Sequence, residues 1–176
     1  MQTPATRILL LTGDGKGKTT AALGLVLRAA GHGMRAALVH FIKADRTTGE
    51  THALERFPTV DIHFCGCGFV RQPSPARLAI HREAAARGLD LAGRYLRDPA
   101  VGMVVLDEVC GAVALGLLDA RDVVAAVRAA SAGTVVVLTG RDAAPELLEL
   151  ADTVSRIECV RHGFDAGHPA RPGVEY

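Results

Sequence analysis

A short apolar run, Ile8-Leu9-Leu10-Leu11, leads directly into Gly13-Asp14-Gly15-Lys16-Gly17-Lys18-Thr19-Thr20, and a helical stretch follows from Thr19 to about Ala30. Strand, glycine-rich turn and helix in that order leave few architectures open. The glycines let the backbone turn and aim several N–H groups inward, and the helix N-terminus adds the positive end of its dipole. Such a turn holds the phosphates of a nucleotide. Lys18 is placed to reach phosphate oxygens, and the Thr19 hydroxyl to complete the shell of a bound Mg²⁺. Compared with the pattern G-x-x-x-x-G-K-[ST], the turn is one residue short. Thr12 stands where the first glycine is required, and Gly13 closes a tighter loop. A nucleotide bound in an unusual pose is the expectation.

Strand and helix patterns alternate along the rest of the chain, which predicts an α/β domain with a mainly parallel sheet covered by helices on both faces. Gly31-His32-Gly33 ends the first helix, and Ala36 to Phe41 reads as the second strand. Val60-Asp61-Ile62-His63-Phe64 alternates and is expected nearer a sheet edge. Ser74-Pro75 has the form of an N-cap and first helical residue; Leu78, Ala85, Leu89, Ala92 and Leu96 then share one face as far as Asp98-Pro99. Met103 to Leu106 and Thr134 to Leu138 read as buried strands, separated by a helix capped by Asp119 with Val123, Val124, Val127 and Ala130 inward. Pro145 to about Leu150 reads as a short helix and Thr153 to Val160 as a last strand; Arg161 to Tyr176 is an irregular tail rich in glycine and proline.

A chain of 176 residues fits a single domain, and it buries roughly 70% of its unfolded surface without staples. The net charge of +1 gives no global basic field for nucleic acid. No apolar run approaches the ~20 residues of a membrane span, and the polar N-terminus is no signal peptide, so a cytoplasmic protein is expected. Cys65, Cys67, Cys110 and Cys159 contain no C-x-x-C pair, which argues for reduced thiols rather than a zinc site.

The strand before Asp107-Glu108 supplies two carboxylates to the sheet edge that carries the phosphate turn, where they are suited to hold a nucleotide's metal. Two further loops, Phe41-Ile42-Lys43 to Gly49-Glu50 and Cys65-Gly66-Cys67-Gly68-Phe69, are expected to line the same crevice. Phe69 fits either core or a platform for a flat ligand. Arg141, after the strand ending Thr139-Gly140, fits either a phosphate or ribose contact or an ordinary surface position. His162 stands out among the histidines because Phe164, Asp165 and Gly167 surround it; His32, His40, His52, His63, His81 and His168 read as structural or solvated.

Together these segments resemble the BtuR/CobO/CobP-type ATP:corrinoid adenosyltransferases. The matching stretches are Thr12 to Ala22, Phe41-Ile42-Lys43 with Gly49-Glu50, Gly66-Cys67-Gly68-Phe69, Val105 to Glu108, Thr139-Gly140-Arg141, Leu150 to Val154, His162 to Gly167 and Gly173 to Tyr176. They run in the family's order over nearly the whole chain, 1–176 as one domain. The resemblance implies a RecA-like phosphate-loop fold and transfer of the 5′-deoxyadenosyl group of ATP to a reduced Co(I) corrinoid, with release of triphosphate. It implies ATP turned end for end relative to ordinary phosphate-loop enzymes, and no covalent nucleophile or acid/base from the protein. It places phosphates on Gly13, Asp14, Gly15, Lys16, Gly17, Lys18, Thr19 and Thr20 with Arg141, and Mg²⁺ (or Mn²⁺) on Thr19, Glu108 and Asp107. Phe69, Arg28 and His162 fall to the corrinoid. A flavoprotein or flavodoxin-type reductase and a homodimer are the partners implied, with no nucleic acid and no membrane.

Three residues depart from the family pattern. Asp14 stands where asparagine is usual, Arg71 where many members have tryptophan, and Ala44 where glycine is common. The first strand begins close to the chain start, whereas several relatives carry an N-terminal helix over the site, so closure is expected from another segment or a partner chain. Two other classes fit the phosphate turn: an ordinary ATPase or small-molecule kinase using Glu108 or Asp107, and a non-catalytic nucleotide- or corrinoid-binding relative.

Overall fold

Parallel neighbours need a long crossover between them, and this sequence supplies helical segments between successive strands. The structure, a computed structural model, describes residues 5–68, 73–163, 165 and 167–174. In chain order the elements are β1 (Arg7–Thr12), α1 (Lys18–Gly31), β2 (Ala36–His40), α2 (Gly49–Leu54), β3 (Val60–Phe64), α3 (Pro75–Arg97), β4 (Met103–Asp107), α4 (Val109–Ala114), α5 (Ala120–Arg128), β5 (Val135–Thr139), α6 (Pro145–Leu150) and β6 (Thr153–Arg156). The six strands lie in the order β3-β2-β4-β5-β1-β6, and every pairing is parallel. β3 occupies an edge, as its alternation predicts.

Connections running toward β3 carry α1 and α2 over one face; those running back carry α3 to α6 over the other, as right-handed crossovers require. The strands' period of two sorts their side chains accordingly. Leu11, Leu38, Val105 and Val137 pack with Ala22 and Val26 of α1. Leu10, Val39, Leu106 and Leu138 face the opposite way and meet Ala85 and Leu96 of α3 and Val123 and Val127 of α5. Two apolar layers thus enclose a sheet whose central strands β2 and β4 are buried at every residue.

Local signals explain the helix limits. The Ser74 hydroxyl accepts from the Arg77 N–H with Pro75 in the first turn, and the Asp119 carboxylate accepts from the Arg121 N–H at 2.8 Å. Two elements lie where the sequence reads only as loop: α2 and α4 have six residues each, too few for a helical period to show. The last strand is shorter than expected and ends at Arg156, because the chain then leaves the sheet edge to run against the glycine-rich turn. Among the described residues no helix is long and apolar enough to cross a membrane.

Candidate functional site

β1 and β5 are neighbours, yet α1 and α6, the helices that follow them, pack on opposite faces of the sheet. A crevice therefore opens at their C-terminal ends, the usual ligand position in such sheets. The glycine-rich turn sits there and is held from three sides. Gly17 begins α1 in a left-handed conformation, φ 119°, which glycine adopts without penalty. Lys18 folds back so that its ammonium donates to the Gly13 and Gly15 carbonyls at 2.7 and 2.8 Å. From outside, the Gly15 N–H donates to the Ile157 carbonyl at 2.8 Å. A Cβ on Gly15 would stand 2.6 Å from the Glu158 carbonyl oxygen. The segment after β6 is a brace that only glycine admits.

Beside the turn, the last rung of the sheet places Phe64, His40 and Asp107 side by side on β3, β2 and β4. Asp107 is fully buried, and its two oxygens divide their partners. Oδ1 accepts from the Thr19 hydroxyl and the Thr139 hydroxyl, each at 2.8 Å. Oδ2 accepts from Nδ1 of His40 at 2.8 Å, and the Lys43 ammonium lies 3.9 Å away. Thr139 in turn accepts from the Glu108 N–H at 2.9 Å. Glu108 sits at φ 61°, a left-handed backbone that aims the residue after the strand away from the sheet line.

The charges settle accordingly. Burial raises the Asp107 pKa, but the His40 hydrogen bond and charge, with Lys43 and Thr139, outweigh it and hold the carboxyl below its usual range. Glu108 goes the other way: burial first, then the neighbouring Asp107 charge, raise its pKa. Burial also lowers the Lys18 pKa against the pull of Glu108. Two carboxylates, one held ionised and the other raised by burial and by its neighbour's charge, thus stand together at the end of β4. Thr19, its hydroxyl proton committed to Asp107, presents oxygen lone pairs, and Glu108 presents a carboxylate. Such hard oxygen donors fit Mg²⁺ or Mn²⁺.

These groups line a cavity of about 920 Å³. Of the residues singled out in the sequence, the cavity gathers Gly15 through Thr20, Glu108, Arg141 and His162. Asp107 lies beneath its wall, joined to Thr19. Gly13 and Asp14 face a second, polar cavity of about 140 Å³ with Asp142 and Arg156, and the Arg141 guanidinium reaches the Asp14 carbonyl at 3.2 Å. Arg28 is exposed in the last turn of α1, about 15 Å along the helix from Lys18, and is not brought to the cavity. Phe69 and Arg71 lie outside the described residues. Away from the phosphate turn the wall becomes apolar, with Leu23, Ala114, Leu115 and Val174.

Sequence reasoning missed His40, which reads as structural or solvated. It is buried in the site, stacked on Phe64 with ring centroids 4.6 Å apart. It missed Lys43 and Thr139 as members of the Asp107 network as well, although Lys43 stands in a loop flagged by its place after a strand and Thr139 ends β5.

Sheet order, braced glycine turn and paired acids define an α/β protein of the phosphate-loop class. Residues 5–176 match the family model of the ATP:corrinoid adenosyltransferases BtuR/CobO/CobP, and the chain belongs to that family. A corrinoid adenosyltransferase of Pseudomonas aeruginosa is 42% identical over 170 residues, covering 96% of this chain and 83% of the relative. Corrinoid adenosyltransferase CobA of Salmonella typhimurium and a corrinoid adenosyltransferase of Escherichia coli are each 40% identical over 171 residues, covering 96% of this chain and 85% of either relative.

Proposed function

We propose that the protein transfers the 5′-deoxyadenosyl group of ATP to the cobalt of a reduced corrinoid and releases intact triphosphate. One observation carries this beyond family membership. The phosphate turn is a residue short and braced by Ile157, and the cavity beyond it is wide and apolar. The shape suits clamped phosphates with the nucleoside end open to a large, flat partner. In the reaction the cobalt(I) electron pair attacks C5′ of the ribose. The Co–C bond forms, the C5′–O bond breaks, its electron pair leaves on the triphosphate, and cobalt becomes formally cobalt(III).

The chain's part is binding and charge stabilisation, with no covalent nucleophile. Lys18, Lys16 and the α1 N-terminus hold the triphosphate as a leaving group, and Arg141 adds charge at the same cavity wall. Thr19 and Glu108 would hold Mg²⁺ directly, with Asp107 fixing both from beneath. The cation supplies charge neutralisation on the leaving oxygens. His162 and Phe69 are assigned to the corrinoid side, Phe69 on the family resemblance alone. A cytoplasmic homodimer that draws electrons from a flavodoxin-type reductase belongs to the same proposal.

Anaerobic incubation with ATP, Mg²⁺ and chemically reduced cobalamin tests it. The expected products are a light-sensitive alkylcobalamin and triphosphate in equal amounts. ADP with orthophosphate, or a phosphorylated acceptor, would reassign the chain to the ATPases or kinases.

A further inference from the structure

His40 lies beneath the cavity wall, out of reach of any substrate, yet it is tied to the residues that would touch one. A carboxylate only accepts, so the ring donates from Nδ1 to Asp107 Oδ2 at 2.8 Å. Its Nε2 is buried with no partner among the described residues. An apolar ring stacked on Phe64 would fill that space and avoid the unpaired nitrogen, so packing alone does not account for a histidine here. The hydrogen bond to Asp107 does. The other oxygen of that carboxylate fixes the Thr19 hydroxyl directly, and it fixes the Glu108 backbone through Thr139. One buried anion therefore aims both of the groups assigned above to the cation, and His40 holds its second oxygen by a direct hydrogen bond.

We propose that His40 is a positioning residue for the divalent cation of the ATP complex, acting through Asp107 on Thr19 and Glu108. The inference rests on the cation assignment made under the proposed function. It concerns how tightly metal–ATP is held and not which bond of ATP breaks.

Two variants separate the ring from its N–H. His40→Phe keeps the stack on Phe64 and removes the donor; His40→Asn keeps a donor near the Nδ1 position and removes the ring. Mn²⁺ affinity in the presence of ATP, read by electron paramagnetic resonance, is expected to fall about tenfold in His40→Phe and to stay within about threefold of the parent in His40→Asn, as for partners of metal ligands generally. ATP affinity measured in EDTA should be unchanged in both. The proposal is overturned if His40→Asn loses Mn²⁺ while His40→Phe keeps it, if neither variant changes, or if metal-free ATP binding falls in step with Mn²⁺ binding. Failure of both variants to fold would assign His40 to the core and overturn it as well. Normal Mn²⁺–ATP binding by the parent without adenosyl transfer would sink the proposed reaction and leave this inference standing. Absence of Mn²⁺–ATP binding by the parent would sink both.

Discussion

Thr19 and Asp107 stand 88 positions apart in the chain, and the hydroxyl of the first donates to the carboxylate of the second at 2.8 Å. The bond joins the start of α1 to the end of β4 and ties the phosphate turn to the paired acids. Removing either side should therefore have the same consequence. Thr19→Ala and Asp107→Ala are each expected to lower kcat/KM with Mg²⁺–ATP roughly 10- to 100-fold, the usual range for groups that bind or orient a metal. The double variant should be little worse than either single one, because both remove one unit. Steady-state kinetics of the four proteins decide it; full additivity would show that the two residues act separately.

The brace behind the turn makes a second prediction. Gly15→Ala sets a methyl group 2.6 Å from the Glu158 carbonyl oxygen, and backbone on both sides must shift. Loss of about 1–3 kcal/mol of stability is expected, as for overpacking in a tight site, together with weakened ATP binding. Gly17→Ala meets no atom within 4 Å, but it carries the cost of a left-handed φ, about 1–2 kcal/mol. Thermal unfolding with and without ATP separates the two effects.

Asp14 puts a carboxylate on the turn assigned to phosphates, and the Arg141 guanidinium is tied to the same turn by its 3.2 Å hydrogen bond to the Asp14 backbone carbonyl. Arg141→Ala is expected to raise the KM for ATP about tenfold, the worth of one charge-assisted hydrogen bond. Asp14→Asn should recover part of that loss in the Arg141→Ala background. A KM unmoved by Arg141→Ala would return that residue to the surface.

His63 supplies a pH dependence away from the cavity. Burial pushes its pKa below the ordinary value, against the pull of Asp61, and its Nε2 pairs with the Tyr95 hydroxyl at 2.7 Å. The unfolded chain takes up this proton at roughly pH 6.5 while the folded one resists it, so stability present above that pH declines as pH falls through it. His63→Gln keeps a hydrogen-bonding group and removes the titration; its Tm should fall less than the parent's between pH 7.5 and pH 5.5. Equal falls would locate the acid sensitivity elsewhere.

The thiols should react in a fixed order. Cys67 and Cys159 are exposed, Cys65 is half-buried, and Cys110 is buried. Burial, with the Glu108 charge behind it, pushes the Cys110 thiol up to about 12. Alkylation followed by peptide mapping should label Cys67 and Cys159 first and Cys110 only after unfolding.

The frame was legible in the sequence because its signals are local. Ile8 to Leu11, the glycine turn, Ser74-Pro75 and the apolar strands before Asp107 and Gly140 each announce an element within a few residues. α2 and α4, six residues each, carry too little periodicity to be seen and lack the proline that marks the start of the equally short α6. The site was legible as far as chemistry runs along the chain, at Lys18, Thr19 and Glu108. His40 carries no such signal, because its partner is 67 positions away and only the β2–β4 register brings the two together. Arg28 shows the converse: a residue matched through the family resemblance lies on an exposed helix end, apart from the cavity of its own chain.

In the proposed reaction C5′–O, and not a phosphoryl bond, is what breaks. ATP carrying ¹⁸O at the C5′ bridging position reads this directly when turned over with reduced cobalamin. All of the label is expected to leave in the inorganic triphosphate. Label retained on an adenosine-containing product, with phosphate or diphosphate released unlabelled, would contradict it.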